Sequence, residues 1–426
     1  MLKEQYRTCL ATQIAHSQAS HTPLNIVARI HDLELKQAEQ NSTLRKNPSV
    51  TNTLDDRKTT IRTSEQEPSQ PQMAVNIVQN PEPPQRVTPA ITSAGRARHR
   101  SRRPSKTQPM IPYGTIIQVE TGKYELKQVL GAGGYGQIFK AFDSNKNLYV
   151  AIKIMQKRSE SQRMILEQHI LFTLKGKPEF PQLYGSGSFE DYMYIVMELL
   201  GKSLSELRKK NDGKKFDAVT ALRVGLLMTD SLRILHEMGF LHRDVKPGNM
   251  CTGISPTTIR RIYLLDFGLA RQFKTKGRVK RRGHVGFRGT LRYVSLNVHE
   301  RRDQCPCDDL ISNFYTMVEL CEGCLPWTRL RDPVDIARRK RNTSFEELFP
   351  FSGMSTELQE YYTYCYDNVE DPDQPNYDFL KDTVKKCLPP GLDLANAAMP
   401  WEGKVSDSFM GLVSQEGEFA EAHEGK

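Results

Sequence analysis

The aromatic residues of this chain are distributed very unevenly, and their distribution limits where a folded core can form. The 426-residue sequence contains 17 Phe, 16 Tyr and 2 Trp, yet Tyr6 is the only aromatic residue among residues 1–110. A segment so poor in large apolar side chains buries too little surface to offset the entropy lost on folding. The sequence therefore predicts that residues 1–113 form a disordered tail and that the folded part follows it.

The predicted tail is rich in Pro, Ser, Thr and Gln and carries most of the positive charge. The whole chain has a formal net charge of +10, and residues 1–110 contribute 16 basic and 9 acidic residues, hence +7. The densest basic stretch is Arg96–Lys106. This stretch is typical either of a solvated linker or of a nuclear-import signal or a contact with an acidic surface. Nucleic acid is not the expected partner, because residues 80–110 have no aromatic side chain on which a base could stack.

The apolar residues and the cysteines indicate the cellular setting. No apolar run is long enough for a transmembrane helix, and the first residues lack the apolar region of a secretory signal. Eight cysteines are too few for a disulfide scaffold in a chain of this length. We therefore expect a monomer without membrane insertion, located in the cytoplasm or, through residues 96–106, in the nucleus.

The residue pattern changes from short strands to amphipathic helices along the folded part. Between residues 114 and 200 it predicts four strands and one helix: Tyr124–Leu130, Gln137–Phe142, Tyr149–Met155 and Tyr192–Met197, with the helix Arg163–Leu174. Between residues 201 and 397 it predicts helices: Ala218–Met238, Asp308–Cys321, Ser355–Asp367 and Asn376–Cys387. The sequence thus predicts a strand-rich lobe, a larger helical lobe and a flexible tail at residues 398–426.

Residues 131–136 read Gly-Ala-Gly-Gly-Tyr-Gly and fit the pattern G-x-G-x-x-G between two predicted strands. Glycine lets a backbone come close to phosphate groups, whose charge its amides can satisfy. A strand follows the motif, whereas a helix would follow in a dinucleotide-binding domain of the Rossmann type. An ordinary hairpin turn is the alternative interpretation.

Val150-Ala151-Ile152-Lys153 places a lysine in an apolar strand. A buried lysine is costly unless it is paired, and Glu167 on the predicted helix is the candidate partner. The alternative is an edge lysine on a solvated face.

His242-Arg243-Asp244-Val245-Lys246-Pro247-Gly248-Asn249 carries the most specific signal. Its five polar positions would match by chance on the order of once in ten thousand chains of this length. Asp266-Phe267-Gly268 follows 17 residues later, directly after the apolar run Ile262–Leu265. The order and spacing of these elements argue against a set of unrelated loop turns.

This set of motifs resembles the protein-kinase signature. The resemblance implies an α+β, bilobal protein-kinase fold, with a small antiparallel β-sheet lobe that carries one helix and a larger α-helical lobe. It implies transfer of the γ-phosphoryl group of ATP, with Mg²⁺, to protein substrates. The position of Lys246, two residues after Asp244, resembles that of the lysine in the serine/threonine branch of the family.

The resemblance also implies roles for individual residues. Lys153, oriented by Glu167, would hold the α- and β-phosphates. Asp244 would accept the proton of the substrate hydroxyl, and Lys246 would neutralise charge on the moving group. The metal ligands would be Asn249 and Asp266. The residues implied to contact ATP are Leu130, Gly131, Gly133, Gly134, Gly136, Ile138, Ala151, Lys153, Met197, Glu198, Leu200, Asn249 and Asp266.

The stretch Gly289–Asn297 replaces the Ala-Pro-Glu of most kinases and resembles the casein kinase 1 superfamily. Asp308-Asp309-Leu310, Leu325-Pro326-Trp327 and Pro375-Asn376-Tyr377 resemble its tau-tubulin kinase-like branch, which implies cytoskeletal substrates. The resemblance gives Asp309 a structural role, in which it holds the backbone of the catalytic loop, residues His242–Asn249.

The activation segment, Arg271–Arg292, contains nine Lys or Arg residues and no Asp or Glu. Crowded like charges attract an anion. We therefore expect acidic or already phosphorylated substrate segments, with Arg292 and Arg288 as the anion pocket. The alternative is a solvated basic loop that is neutralised by bulk ions or by its own phosphorylation at Thr275.

Two further interpretations stay open at this stage. A catalytically silent pseudokinase or scaffold would have the same lobes. Against it, the residue types that catalysis requires are all present, namely Lys153, Glu167, Asp244, Asn249 and Asp266. A zinc site with four thiolate ligands could be formed by Cys305, Cys307, Cys321 and Cys324. The predicted helix Asp308–Cys321 would hold the two cysteine pairs about 20 Å apart, which favours buried free thiols.

Overall fold

The computed structural model describes residues 111–133, 136–157, 161–350, 352, 356–368 and 370–402. The predictions for residues 1–110, for Gly134 and for residues 403–426 lie outside the described residues. In the described part the chain forms a β-sheet lobe followed by a helical lobe, which confirms the predicted α+β fold.

The first lobe is a six-stranded sheet in which all neighbouring strands are antiparallel. Its strands are β1 Ile116–Val119, β2 Gly122–Gly133, β3 Gly136–Asp143, β4 Leu148–Gln156, β5 Leu183–Phe189 and β6 Tyr192–Glu198, in the order β1-β2-β3-β4-β6-β5. Buried and more exposed residues alternate along β3, the pattern of a strand with one covered face. The buried face packs Phe139, Ile152 and Val196 into a core of its own.

The sequence pattern did not predict β1 and β5. The strand β5 contains Leu-Tyr-Gly-Ser-Gly-Ser-Phe, which is poor in β-branched residues. Its glycines are required by packing, since a Cβ atom at Gly187 would lie 2.9 Å from the Tyr194 hydroxyl. Contact with the neighbouring strand therefore outweighs the weak intrinsic preference of this segment.

One helix, α1 Ser161–Thr173, lies between β4 and β5 in the chain. The helical lobe follows, and its helices are α2 Leu204–Lys209, α3 Ala218–Glu237, α4 Leu296–His299, α5 Pro306–Glu322, α6 Pro333–Arg341, α7 Phe345–Leu348, α8 Thr356–Thr363 and α9 Tyr377–Lys386. The start of α3 is capped by Asp217, whose carboxylate accepts the Thr220 amide at 2.8 Å. The predicted helix Ser355–Asp367 is only partly α-helical, because Tyr364–Asn368 forms a wider π-type turn.

The helix α5 forms the centre of the second lobe. Each of its residues is buried, and it packs along α3. This helix separates Cys305 and Cys307 at its start from Cys321 at its end, and the thiols of these residues are free. Among the described residues no group of three or more His, Cys, Asp or Glu side chains could hold a metal ion.

Three short antiparallel pairs shape the loops of the helical lobe that follow α3. They are β7 Phe240–Leu241 with β10 Arg271–Gln272, β8 Met250–Thr252 with β9 Ile262–Leu264, and β11 Lys274–Thr275 with β12 Arg278–Val279. These pairs fix the spacing between the His-Arg-Asp motif, the Asp-Phe-Gly motif and the activation segment.

The packed part of the helical lobe continues beyond residue 397, the boundary expected from the sequence. Met399 and Trp401 are buried, and the Trp401 ring packs edge-on against Phe216. No helix in the described part of the chain combines the length and apolar character needed to cross a membrane.

Candidate active site

A buried ion pair joins the sheet lobe to the Asp-Phe-Gly motif. On β4, Lys153 points its Nζ at the Oε2 atom of Glu167 on α1, 2.6 Å away. The same Nζ lies 3.3 Å from Oδ1 of Asp266. The structure therefore places Lys153 beside the carboxylate expected from the sequence and beside a second one that is 113 residues away in the chain.

The charge of this group is set by the two carboxylates. Burial alone would lower the pKa of Lys153, but Glu167 and Asp266 together raise it above its ordinary value. Burial would raise the pKa of Asp266, but the charge of Lys153 is the main influence that holds it below its ordinary value. Lys153 is thus a cation and Asp266 an anion at neutral pH, as contact with a phosphate and a metal ion requires.

The Asp244 carboxylate is the centre of a second polar cluster. Its Oδ2 accepts hydrogen bonds from Lys246 Nζ at 2.5 Å and from Asn249 Nδ2 at 3.3 Å. Its Oδ1 accepts a hydrogen bond from the Thr290 hydroxyl group, 2.6 Å away. Only 6% of Asp244 is exposed, so its orientation is fixed by donors on both oxygens.

The loop that carries Asp244 is held by Asp309 at the start of α5. The two oxygens of Asp309 accept the backbone amides of His242 and Arg243 at 2.7 and 2.8 Å, and the His236 ring lies 3.0 Å away. Burial would raise the pKa of Asp309, but these hydrogen bonds lower it. Arg243 has a φ of 67°, a strained value that this anchoring stabilises.

The catalytic loop is also tied to the strand before the Asp-Phe-Gly motif. The Leu265 amide donates to the Asn249 carbonyl at 2.9 Å, and Nε2 of His242 lies 2.9 Å from the Leu265 carbonyl. The Asp244 amide approaches Nδ1 of the same ring at 3.2 Å, so Nε2 is the nitrogen that carries the proton. Asp244, Asn249 and Asp266 are therefore positioned by one connected network.

The glycine motif lies in the antiparallel pair β2–β3, with Gly131 opposite Ile138 and Gly133 opposite Gly136. Open space surrounds the positions where Gly131 and Gly133 would carry a Cβ atom. A Cβ atom at Gly136 would lie 2.3 Å from the Ile154 carbonyl oxygen, and its φ is 105°. Gly136 is thus required by the fold, whereas the first two glycines leave room above the backbone for a ligand.

Several residues expected to contact ATP lie on β2, β4 and β6 or just after β6. Ala151 on β4 is directly opposite Met197 on β6, and both are buried. Leu130 on β2, directly before Gly131, is 48% exposed, so its apolar side chain is accessible to a ligand. Glu198, at the end of β6, accepts the Gln182 amide at 3.1 Å. Leu200 lies two residues after the end of β6 and is half-buried.

The donor set of Asn249 and Asp266 fits a hard divalent cation. Asn249 uses Nδ2 to donate to the Asp244 carbonyl at 2.9 Å, which leaves its amide oxygen as a ligand. Asp266 is ionised and about one third exposed. Magnesium is commonly bound by one or two protein oxygens, with phosphates and water completing its octahedron. The two residues therefore suit Mg²⁺ that arrives with a nucleotide.

The two arginines expected to form an anion pocket have different surroundings. Arg292 Nη1 lies 2.9 Å from Oε1 of the buried Glu319, which Arg208 also contacts at 3.0 Å. Arg288 is exposed and donates to the Phe287 carbonyl. Two guanidinium groups share one carboxylate, so a residual positive charge remains at Arg292, whose side chain is 36% exposed.

Sequence reasoning did not assign a role to Thr290. Its hydroxyl donates to Asp244 and lies 3.2 Å from Lys246 Nζ. The signal that could have identified it is its place in Gly289-Thr290, at the end of the activation segment. Glu319 was missed as well, because nothing near it in sequence indicates that it neutralises Arg208 and Arg292.

A comparison with known families agrees with this geometry. The family model described as the protein kinase domain matches residues 124–388. This range includes the sheet lobe from β2 onwards, α1, the Asp244 cluster and the helical lobe through α9.

Curated relatives carry kinase names. A putative casein kinase I from Caenorhabditis elegans is 42% identical over 215 residues, which cover 49% of this chain and 63% of the relative. A probable serine/threonine-protein kinase from Dictyostelium discoideum is 37% identical over 276 residues, covering 64% of this chain and 54% of the relative. Casein kinase I homolog 2 from Schizosaccharomyces pombe is 29% identical over 288 residues, covering 65% of each.

The matches thus span roughly half to two thirds of the length of these three relatives. Because the kinase-domain match covers well over half of the chain and the polar clusters lie within it, the chain belongs to the protein kinase family.

Proposed function

We propose that this chain is a serine/threonine protein kinase that transfers the γ-phosphoryl group of Mg·ATP to protein hydroxyl groups. The observation that carries the proposal is the meeting of two polar clusters from distant parts of the chain. Lys153 contacts both Glu167 and Asp266, and Asp244 accepts hydrogen bonds from Lys246, Asn249 and Thr290.

Asp244 accepts the proton of the substrate hydroxyl and aims its oxygen at the γ-phosphorus. Donors on both of its oxygens fix the orientation of the carboxylate, so little reorganisation is needed during the reaction. Lys246, 2.5 Å from Asp244, supplies positive charge next to the incoming hydroxyl and the moving phosphoryl group. Phosphoryl transfer depends mainly on such positioning and charge neutralisation.

Lys153 binds the α- and β-phosphates, since its ammonium group is fixed by Glu167 at the edge of the glycine-bearing strands. Asn249 and Asp266 would hold Mg²⁺, and the metal would supply positive charge to neutralise the phosphates. The open space above Gly131 and Gly133 admits the phosphates. The part of the nucleotide site that receives the adenine ring is lined by Leu130, Ile138, Ala151, Met197, Glu198 and Leu200.

The test is transfer of labelled γ-phosphate to a protein or peptide with Ser and Thr acceptors. Asp244→Asn keeps the shape of the side chain but removes the base, so kcat should fall about 10²- to 10⁴-fold. Lys153→Met should abolish transfer while thermal unfolding stays cooperative. A wild-type chain that binds Mg·ATP but transfers no phosphate would instead identify the pseudokinase or scaffold alternative.

We further propose that the preferred substrates carry acidic or phosphorylated residues near the acceptor. Support comes from the residual positive charge at Arg292 and from the exposed guanidinium of Arg288. The motifs shared with the tau-tubulin kinase-like branch favour cytoskeletal substrates, and a cytoplasmic location, with nuclear entry through residues 96–106, is proposed from the sequence alone.

Matched peptides test this preference. An acidic or primed peptide should have a kcat/KM about fivefold above that of its neutral counterpart, roughly the effect of one exposed ion pair. Arg292→Gln should remove most of the difference, whereas Arg338→Gln, which changes an exposed arginine on α6, should retain it. Equal kcat/KM values for all peptides would exclude the anion pocket.

A further inference from the structure

Three arginines crowd together beside the catalytic loop. Burial is the main cause that lowers the pKa of Arg243 to about 10, and the charges of Arg282 and Arg271 add to it. Arg243 immediately precedes Asp244, so repulsion within this group acts next to the catalytic carboxylate. The group that neutralises these arginines therefore decides whether the activation segment can rest against the catalytic loop.

The carboxylate that neutralises two of these arginines, Arg271 and Arg282, is Asp303, which lies after α4 and before α5. Its Oδ1 accepts hydrogen bonds from Nη1 of Arg271 and from Nε and Nη2 of Arg282, the latter two at 3.3 and 3.2 Å. Its Oδ2 accepts the Arg282 backbone amide at 2.8 Å. The Asp303 side chain is only 6% exposed, so this is a fixed, largely desolvated contact.

The contact reaches the catalytic loop through Arg271. This residue pairs with Leu241, which immediately precedes His242, and its Nη2 also donates to the Lys280 carbonyl. Arg243 donates through Nε to the Leu269 carbonyl at 2.7 Å. Asp303 thus holds both ends of the basic part of the activation segment against the chain that carries Asp244.

Of the two hydroxyl groups in the activation segment, one is hydrogen-bonded and the other is buried. Thr275 and Thr290 are the only hydroxyl-bearing residues between Arg271 and Arg292. Thr290 donates to Asp244. The Thr275 Oγ1 atom is buried, with no hydrogen-bond partner in the part of the chain that the structure describes. In this conformation neither hydroxyl is presented to another kinase.

We propose that Asp303 is a positioning residue that takes the place of an activation-segment phosphate. Its carboxylate neutralises Arg271 and Arg282, orders residues 271–292 and so keeps the catalytic loop ready for phosphoryl transfer without prior modification. The kinetic part of this inference rests on the proposed kinase function. The ordering of the segment does not, so the two parts are measured separately.

The kinetic test compares full-length Asp303 variants. Asp303→Asn is close in shape but lacks the charge, and it should lower kcat about 10- to 100-fold through misplacement of the loop. The KM for ATP should stay nearly constant, and Asp303→Glu should recover most of the loss. Asp373→Asn is the matched control, because it breaks the Arg281–Asp373 pair of the same segment, whose arginine side chain is 49% exposed, and should change kcat by less than about twofold.

Chemical rescue separates a missing charge from general damage. Asp303→Ala leaves a small space between Arg271 and Arg282, and sodium sulfate or inorganic phosphate should restore part of its kcat, relative to sodium chloride at equal ionic strength. Thr275→Ala should leave the wild-type kcat unchanged. Wild-type kcat in Asp303→Asn, or dependence of wild-type activity on a phosphate at Thr275, would overturn the proposal.

Hydrogen exchange gives a readout that does not need activity. Peptides that cover residues 271–292 should exchange faster in Asp303→Asn than in the wild type, and sulfate should slow exchange in Asp303→Ala. Unchanged exchange would show that Asp303 does not order the segment. If exchange responds as expected while the wild type transfers no phosphate, the proposed kinase function fails and the ordering role of Asp303 stands.

Discussion

At the scale of single residues, His299 links folding stability to pH. It ends α4, and its Nε2 is buried without a hydrogen-bond partner among the described residues. Burial, helped by the charge of Lys340, lowers its pKa from 6.5 to about 4. Below pH 6.5 the unfolded chain therefore binds a proton that the folded chain does not, so stability falls as the pH drops from about 6.5 towards 4.

This linkage predicts a measurable difference between the wild type and His299→Gln. Since one pKa unit corresponds to about 1.4 kcal/mol, the histidine should cost about 2 kcal/mol of unfolding free energy between pH 7.5 and pH 5. Denaturant unfolding at both pH values measures this cost, and the glutamine variant should lack that part of the pH dependence. Parallel pH profiles for the two proteins would contradict the assignment.

At the scale of an element, the strand pair β2–β3 contains glycines with different constraints. Gly136→Ala forces a positive φ on alanine and brings its Cβ into the Ile154 carbonyl, so it should destabilise the sheet by at least about 1–3 kcal/mol. Gly131→Ala meets open space and should leave the unfolding midpoint nearly unchanged while it raises the KM for ATP. Equal thermal destabilisation by both substitutions, measured by calorimetry, would show that Gly131 also serves the fold.

The helix α6 illustrates how an element holds the substrate side of the site. Its Lys340 is buried and donates to the carbonyls of Leu291 and Val294, which flank Arg292. The ammonium also lies over the rings of Tyr315 and Trp327, at 5.1 and 5.2 Å. Burial lowers the pKa of Lys340 well below its ordinary value, and the two carbonyl groups and two aromatic faces are the contacts that offset part of the lost hydration.

At the scale of the whole molecule, residues 398–402 complete the packing of the helical lobe. The Trp401 indole donates to the Ile259 carbonyl at 3.0 Å, and Arg223 donates to the carbonyls of Ala397 and Ala398. Truncation after Ala397 should therefore cost about 3–5 kcal/mol, as for the loss of a buried tryptophan. Truncation after Glu402 keeps these contacts, and denaturant unfolding of the two proteins should separate them clearly. Identical midpoints would mean that the lobe is complete at residue 397.

Much of the fold could be predicted from local patterns. Apolar alternation identified β2, β3, β4 and β6, and helical periodicity identified α1, α3, α5 and α9, because each signal lies within one segment. The strand β5 was missed, since its Gly and Ser residues form a strand only against Tyr194. The wide turn at Tyr364–Asn368 was missed for a similar reason, as periodicity alone does not distinguish it from an α-helix.

The sequence by itself determined which chemical groups are available and in what order, because Lys153, Asp244, Asn249 and Asp266 lie in motifs whose spacing is legible along the chain. Only the tertiary structure decided which charges meet. The contacts of Thr290 with Asp244, of Glu319 with Arg292 and of Asp303 with two arginines join residues that are 21 to 46 positions apart. Packing brings such partners together, and the electrostatic energy of a buried charge depends on its neighbours in space rather than on its neighbours in sequence.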